Sequence, residues 1–234
     1  MKRRRLGQHY LVDSEAVRKI VESGGIKPSD RIIEIGTGRG VLTKELASLG
    51  KTFDGYEIDR QNFEATLETV EGTKARIHLT DPFKRSLEFD VLVSSLPYSE
   101  SSTFVEWLSG MDFRRAAVVL QEDFVRKIMA PSGDRNYRAV SAMAQISFEM
   151  ENVGRVGRRS FSPPPRVNSV IVSFTPKNKI SGSERANISR LFSLKRRQVD
   201  SALAKLGMAS KKSFGHRRVY SLTPPEVHRL CVPS

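Results

Sequence analysis

Two rhythms of apolar residues alternate along this chain. Ala16, Val17, Ile20 and Val21 recur at helical spacing behind Asp13-Ser14, whose side chains suit a helix cap, and Gly24-Gly25 ends the run. After Lys27-Pro28-Ser29, the stretch Arg31-Ile32-Ile33-Glu34-Ile35 has the length and branching of a short buried strand, and it runs into Gly36-Thr37-Gly38-Arg39-Gly40. Leu42, Leu46 and Leu49 share one face of a helix expected over residues 41–49 and closed by Gly50. The alternation continues with strands expected at 52–58, 75–80, 90–94 and 116–120, and helices at 60–70, 102–109 and 122–129.

Strands alternating with helices of this length require right-handed crossovers, which predicts an α/β fold with a doubly wound, mainly parallel sheet. Such a sheet takes its ligand at the carboxyl ends of the strands. Two later strand-like runs, 153–161 and 167–174, flank Ser162-Pro163-Pro164-Pro165-Arg166 and are expected to complete the sheet with an antiparallel element. From Ser181 the pattern turns helical and basic, so the expected division is a main domain over 1–180 and a small helical domain over 181–234.

A chain of 234 residues can bury a sizeable core, and its 38% hydrophobic and 28% charged residues are ordinary globular composition. The longest apolar run, Ala116 to Leu120, is far too short to span a membrane. Met1-Lys2-Arg3-Arg4-Arg5 resembles the start of a secretory leader, but Gly7, Gln8, His9 and Asp13 stand where its apolar core belongs, so a cytoplasmic protein is expected. Cys231 is the single cysteine, which excludes an internal disulfide and a cysteine metal cluster, and no metal site is expected. Charge is segregated: residues 1–150 hold 22 basic and 22 acidic side chains, whereas 151–234 hold 17 and 4 and so carry the whole excess of +13. A neutral body with a basic end fits a polyanionic partner, although a solvated basic surface gives the same count.

Glycines at 36, 38 and 40 between a strand and a helix allow the backbone to approach a ligand, or simply make a tight turn. Glu57 and Asp59 end the next strand, where a carboxylate can take both hydroxyls of a ribose. The glycine spacing is not that of dinucleotide sites, so a nucleoside without pyrophosphate is favoured. Asp81 ends the third strand and can accept from an exocyclic amine or cap its own turn. Ser95-Leu96-Pro97-Tyr98 closes the fourth, bringing the Ser95 hydroxyl and backbone carbonyls beside an aromatic ring. Two acceptors with a stacking face are what an enzyme needs to hold an everted base by its amine.

These residues resemble, over nearly the whole chain, the KsgA-type dimethyladenosine transferases of small-subunit ribosomal RNA. The resemblance rests on Gly7-Gln8-His9-Tyr10-Leu11, Glu34-Ile35-Gly36-Thr37-Gly38-Arg39-Gly40, Glu57-Ile58-Asp59, Asp81 and Ser95-Leu96-Pro97-Tyr98 in order. It extends through Phe161-Ser162-Pro163-Pro164-Pro165-Arg166-Val167-Asn168-Ser169 to Phe192 with Arg196-Arg197. It implies a seven-stranded class I, Rossmann-like methyltransferase fold, S-adenosylmethionine as cofactor, and two adjacent adenosines near the 3′ end of the RNA, free or in a pre-small-subunit particle, as target. A monomer is expected. By carry-over, the cofactor would lie against Gln8, His9, Leu11, Glu34, Gly36, Thr37, Gly38, Glu57, Ile58, Asp81 and Ser95. The target base would be held by Ser95, Leu96, Pro97 and Tyr98, with Phe161 stacking from the other side.

Arg158, Arg159, Lys195, Arg196, Arg197, Lys211, Lys212, Arg217 and Arg218 would carry the RNA backbone, with Arg3 to Arg5 as a further arm. The family usually has Asn where this chain has Ser95, a shorter acceptor. Two alternatives stay open: an assembly factor that binds RNA with little catalysis, and a methyltransferase of large-subunit RNA.

Overall fold

The computed structural model describes residues 9–210 and 212–232. Gln8, Lys211 and Arg3 to Arg5, all expected in binding roles, lie outside the described residues. The first short strand, β1 (Tyr10–Leu11), leads to helix α1 (Ser14–Gly24), where Asp13 accepts from the amides of Glu15 and Ala16 and Gly25 closes the helix in the left-handed region. There follow β2 (Arg31–Ile35), α2 (Val41–Leu46), β3 (Thr52–Glu57), α3 (Arg60–Thr69), β4 (Arg76–Leu79), β5 (Val91–Ser95), α4 (Ser101–Leu108), β6 (Arg115–Gln121) and α5 (Glu122–Ile128). The remaining elements are α6 (Ala139–Ser147), β7 (Phe148–Val156), β8 (Phe161–Ser162), β9 (Ser169–Pro176), α7 (Gly182–Ser193), α8 (Val199–Leu206) and α9 (Pro224–Cys231).

Among the described residues, seven strands form one sheet in the order β4-β3-β2-β5-β6-β9-β7. The pairs β4–β3, β3–β2, β2–β5 and β5–β6 are parallel, and β9 runs antiparallel to β6. The expected doubly wound α/β sheet is therefore present. The chain leaves β2 for β3 on one side and returns to β5 on the other, so the sheet switches direction at β2, the point where such folds open a crevice. The run 153–161 departs from expectation. The strand starts earlier, at Phe148, stops at Val156, and gives way to a turn over Arg158–Ser160. The piece that follows, β8, pairs with β1 in its own two-stranded ladder and does not join the large sheet.

The chain divides into two compact units, whose limits differ from the expected division at 180/181. One unit holds the chain up to Phe104 with Met111–Glu122 and Met150–Pro176; the other holds Val105–Gly110, Asp123–Glu149 and everything from Lys177. The second unit is larger than a carboxyl-terminal appendage because α6 is built into it: Ala142, Met143 and Ile146 share a buried cluster with Ile188, Leu191, Phe192, Val227 and Cys231. Helix α6 had no counterpart among the expected elements. In the first unit, α1, β2, α2, β5 and β6 enclose a core that includes Ile20, Ile32, Leu46, Val93 and Val119. No described helix is long and apolar enough to cross a membrane.

The basic residues of the second unit are not equivalent. Arg217 donates to both oxygens of Glu226, at 2.7 and 2.8 Å, and to the Ser221 carbonyl, while Glu226 closes a capping box with Thr223 at the start of α9. The Arg217 guanidinium holds the Glu226 carboxyl down at about 2, against an ordinary 4.5. A depressed carboxylate stabilises the fold above its unfolded pKa, and that stability is lost as pH falls from 4.5 towards 2. Since the Arg217 side chain is 40% exposed, screening limits the pair to about 1–2 kcal/mol. Arg217→Ala should therefore lower the melting temperature near pH 7, with the gap to wild type closing as the pH is taken from 4.5 to 2. A gap that is constant with pH would show that the pair does not titrate with folding.

Candidate functional site

At the carboxyl ends of β2, β3 and β5 the first unit opens a cavity of about 230 Å³. Its wall includes His9, Ile35, Gly36, Gly38, Glu57, Ile58, Asp81, Ser95, Leu96 and Pro97, so segments far apart in sequence meet at the sheet's switch point.

The loop after β2 is fixed by the strand beside it, since the Gly36 amide donates to the Tyr56 carbonyl at 2.7 Å. The glycines divide their work. A Cβ on Gly38 would stand 3.1 Å from the Tyr10 ring, and the backbone there has a φ of +57°, so a side chain at this cavity-lining position would be both crowded and strained. A Cβ on Gly40 would meet Thr69 Oγ1 at 2.8 Å, which makes Gly40 a packing position against α3.

Glu57 ends β3 almost fully buried, with its carboxylate at the cavity wall. One oxygen accepts from the Gly38 amide at 2.9 Å, the other from the amides of Ile58 and Asp59 at 2.7 and 2.9 Å. Charge-assisted bonds from backbone donors hold the carboxylate in one orientation. Asp59, the other acidic candidate on this strand end, caps α3 instead, accepting from Gln61 and Asn62. Asp81 lines the cavity and also accepts from the Phe83 amide at 3.0 Å. Beside them Ile58 is 57% exposed, an apolar side chain presented to the opening.

Three expected cofactor residues are not in the wall. Ile35 faces the cavity, so alternation along β2 turns Glu34 to the other face, where it is buried and Thr43 Oγ1 donates to it at 2.7 Å. Burial raises the Glu34 carboxyl well above its ordinary range. Thr37 is buried against Thr66, with their hydroxyls 2.9 Å apart. Leu11 lies in the core. Conversely Tyr10, Tyr56, Asn62, Pro82, Phe83, Ser99 and Glu100 line the cavity without having been singled out. Tyr10 stands inside the amino-terminal signature; its hydroxyl donates to Asn62 Oδ1 at 3.1 Å and its ring carries the Arg39 guanidinium 4.7 Å from the centroid.

At the end of β5, Ser94 Oγ donates to the Ile35 carbonyl and ties β5 to β2, which leaves Ser95, Leu96 and Pro97 facing the cavity. Tyr98 follows beside the wall rather than in it, half-buried, its ring centroid 5.6 Å from that of His9. Burial pushes its phenol above the usual range. Phe161, expected to stack on a base, is only 3% exposed and belongs to the core with Leu11 and Ile171. The β1–β8 register explains this: Leu11 pairs with Phe161 and Tyr10 with Ser162, so Tyr10 and Phe161 lie on opposite faces of the ladder, Tyr10 on the face towards the cavity and Phe161 with Leu11 on the face towards the core.

Among the other expected RNA contacts, Arg158 donates to the Pro165 carbonyl and Arg218 to the Arg196 carbonyl, both from exposed positions. Arg159, Arg196, Arg197 and Lys212 are exposed and Lys195 is partly so.

The pattern that defines the family described as ribosomal RNA adenine dimethylase matches residues 1–224. A Pyrococcus abyssi protein named "Probable ribosomal RNA small subunit methyltransferase A" is 33% identical over 240 residues, covering 97% of this chain and 89% of its own. The crystal structure of a dimethyladenosine transferase from Plasmodium falciparum superimposes with a TM-score of 0.80 at 25% identity, over 95% of this chain and 96% of that one. The 23S rRNA methyltransferase ErmE also superimposes, with a TM-score of 0.67 at 25% identity, over 94% and 97%. A class I methyltransferase sheet, a ligand cavity at its switch point and a match over almost every residue lead to one conclusion: this chain belongs to the ribosomal RNA adenine dimethylase family and is an rRNA adenine methyltransferase.

Proposed function

We propose that the protein uses S-adenosylmethionine to methylate the N6 amines of two adjacent adenosines near the 3′ end of small-subunit ribosomal RNA, on free RNA or a pre-small-subunit particle in the cytoplasm. One observation carries this reading: the Glu57 carboxylate and the Ser95-Leu96-Pro97 turn face the same cavity. The residues fit the cofactor. Glu57 is buried, fixed by three amides and placed to accept from ribose hydroxyls. Gly38 leaves the room a longer side chain would fill, and Asp81 and Ile58, an acceptor and an apolar side chain of the kinds that suit an adenine amine and ring, line the same cavity. His9, Gly36 and Ser95 border the remainder.

When bound, S-adenosylmethionine supplies a methyl group activated by a sulfonium. The rest of the chemistry is placement of a weak nucleophile, because the N6 lone pair of adenine is delocalised into its ring. Ser95 Oγ and the Leu96 carbonyl accept from the two amine hydrogens, which favours a pyramidal nitrogen with a localised lone pair. Tyr98 gives the base a face to lie on. With the cofactor held by Glu57, Asp81, Ile58 and Gly38, these contacts would aim the nitrogen lone pair at the methyl group, and the surplus proton would leave to water. Holding both partners in line can supply several of the roughly 7–11 kcal/mol available from orientation.

Incubating the protein with methyl-labelled S-adenosylmethionine and unmethylated small or large subunits in parallel, then locating the label by mass spectrometry of RNA fragments, tests this. Label on adjacent adenosines near the 3′ end is expected. Label in large-subunit RNA instead would favour a 23S rRNA target like that of ErmE, and RNA binding without label would favour an assembly factor.

Lys195, Arg196 and Arg197 form a basic turn between α7 and α8, and we place the RNA backbone on them. Replacing all three by alanine should reduce the slope of log affinity against log salt by about two, since each phosphate contact contributes about 0.7–0.9. Arg217→Ala, whose guanidinium is engaged by Glu226, should leave the slope unchanged. A triple variant with the wild-type slope would remove this turn from the footprint.

A further inference from the structure

Tyr98 is held at its far end by Ser169, which closes the 161–169 motif, lies outside the cavity wall and carries no role in the resemblance. Its phenol oxygen lies 2.7 Å from Ser169 Oγ, 71 positions further along the chain. Ser169 is completely buried at the first position of β9, opposite Gln121 of β6, so it is fixed by the sheet itself. The flank of the ring is fixed as well. His9 lies beside it at a 36° tilt, and His9 Nδ1 is 2.8 Å from the Pro163 carbonyl, an atom that can only accept, so Nδ1 carries the proton and the imidazole is anchored. A tyrosine ring has two soft torsions. Pinning the phenol oxygen fixes the axis that χ1 sets, and the neighbouring His9 ring limits rotation about that axis. With Phe161 in the core, the tilt of Tyr98 alone among these two aromatics would decide the plane of a base laid against it.

We propose that Ser169 is a positioning residue for methyl transfer: through its hydrogen bond to Tyr98 it sets the plane in which the target adenine presents N6 to the methyl donor. This rests on the reading of the site as an adenine N6-methyltransferase. Ser169 touches neither substrate nor cofactor and acts only through the ring.

The test is a double-variant cycle on Ser169→Ala and Tyr98→Phe, which remove the same hydrogen bond from its two ends. Each should slow single-turnover methyl transfer at saturating RNA and cofactor by about tenfold, a fraction of the roughly hundredfold loss that a 1 Å misplacement can cause. The double variant should be no more than about twofold slower than either single one, because the bond can be lost only once. Cofactor affinity should not change. RNA carrying 2-aminopurine at the target adenosine adds a readout that folding defects do not mimic: its emission, quenched by stacking in the wild type, should rise in both single variants.

Rates per folded molecule equal to wild type, losses that multiply in the double variant, or unchanged 2-aminopurine emission would each overturn the assignment. If Ser169→Ala does not fold, Tyr98→Phe carries the test with Ser169 intact, and a wild-type rate there overturns it equally. A wild-type protein that transfers no methyl group to adenine would overturn the reading of the site, and this assignment with it. An active wild type indifferent to Ser169→Ala overturns this assignment alone.

Discussion

Glu57→Ala is expected to raise the dissociation constant for S-adenosylmethionine by about a hundredfold while leaving RNA affinity within about twofold of wild type. The carboxylate already holds three amides, from Gly38, Ile58 and Asp59, and its remaining acceptor capacity faces the cavity. A hydrogen bond to a charged group contributes about 1.5–3 kcal/mol, so two ribose hydroxyls lost together would cost at least a hundredfold before the loop relaxes. The amides that the variant orphans sit at the rim of an open cavity where water can reach them, so the fold should survive with only a small drop in melting temperature. Glu57→Gln keeps the shape but turns an amide hydrogen towards at least one backbone donor, and should fall between wild type and alanine. Calorimetric titration with cofactor and filter binding with RNA separate the two affinities. Loss of both, or of neither, would mean that Glu57 does not hold the ribose.

The alternation of strands and helices was legible in the sequence because a parallel sheet is buried on both faces, which makes runs such as Ile32-Ile33 continuous rather than alternating. Helix α6 was not legible, for the related reason that nearly all of it is buried. Val140, Ser141, Ala142, Met143, Ala144, Ile146 and Ser147 leave almost no polar face from which to read a helical period. Its start also lacks a conventional cap: the Ser141 hydroxyl accepts from the Arg138 amide and donates to the Lys127 carbonyl, a contact that exists only once the second unit has assembled.

At the site, motifs marked the segments and missed the side-chain directions. Glu34 and Glu57 both stand at strand ends in matching motifs, yet one turns to Thr43 and the other to the cavity. Asp59 was as plausible as Glu57 until the start of α3 claimed it. Phe161 depends on a register between β1 and β8 that joins residues about 150 positions apart, which no local pattern encodes.

Tyr98→Ala should lower kcat/KM for methylation of unmethylated small subunits by about a hundredfold, with no change in the dissociation constant for the cofactor. Base–aromatic stacking contributes about 1–3 kcal/mol per base by alanine substitution, and this ring stands without Phe161 opposite it, so the upper part of that range applies. Cofactor binding should be spared because Tyr98 lies beside the cavity wall, while Pro97 and Ser99 on either side form part of it. The loss should exceed that of Tyr98→Phe about tenfold, since phenylalanine gives up only the bond to Ser169 and alanine gives up the platform as well. Single-turnover rates measured with saturating cofactor distinguish the cases. A cofactor affinity that falls in step with the rate would put the ring in the cofactor's site and not under the base. An alanine variant as fast as the phenylalanine one would mean that the ring itself carries no part of the target, and that the base is held by the Ser95 and Leu96 acceptors alone.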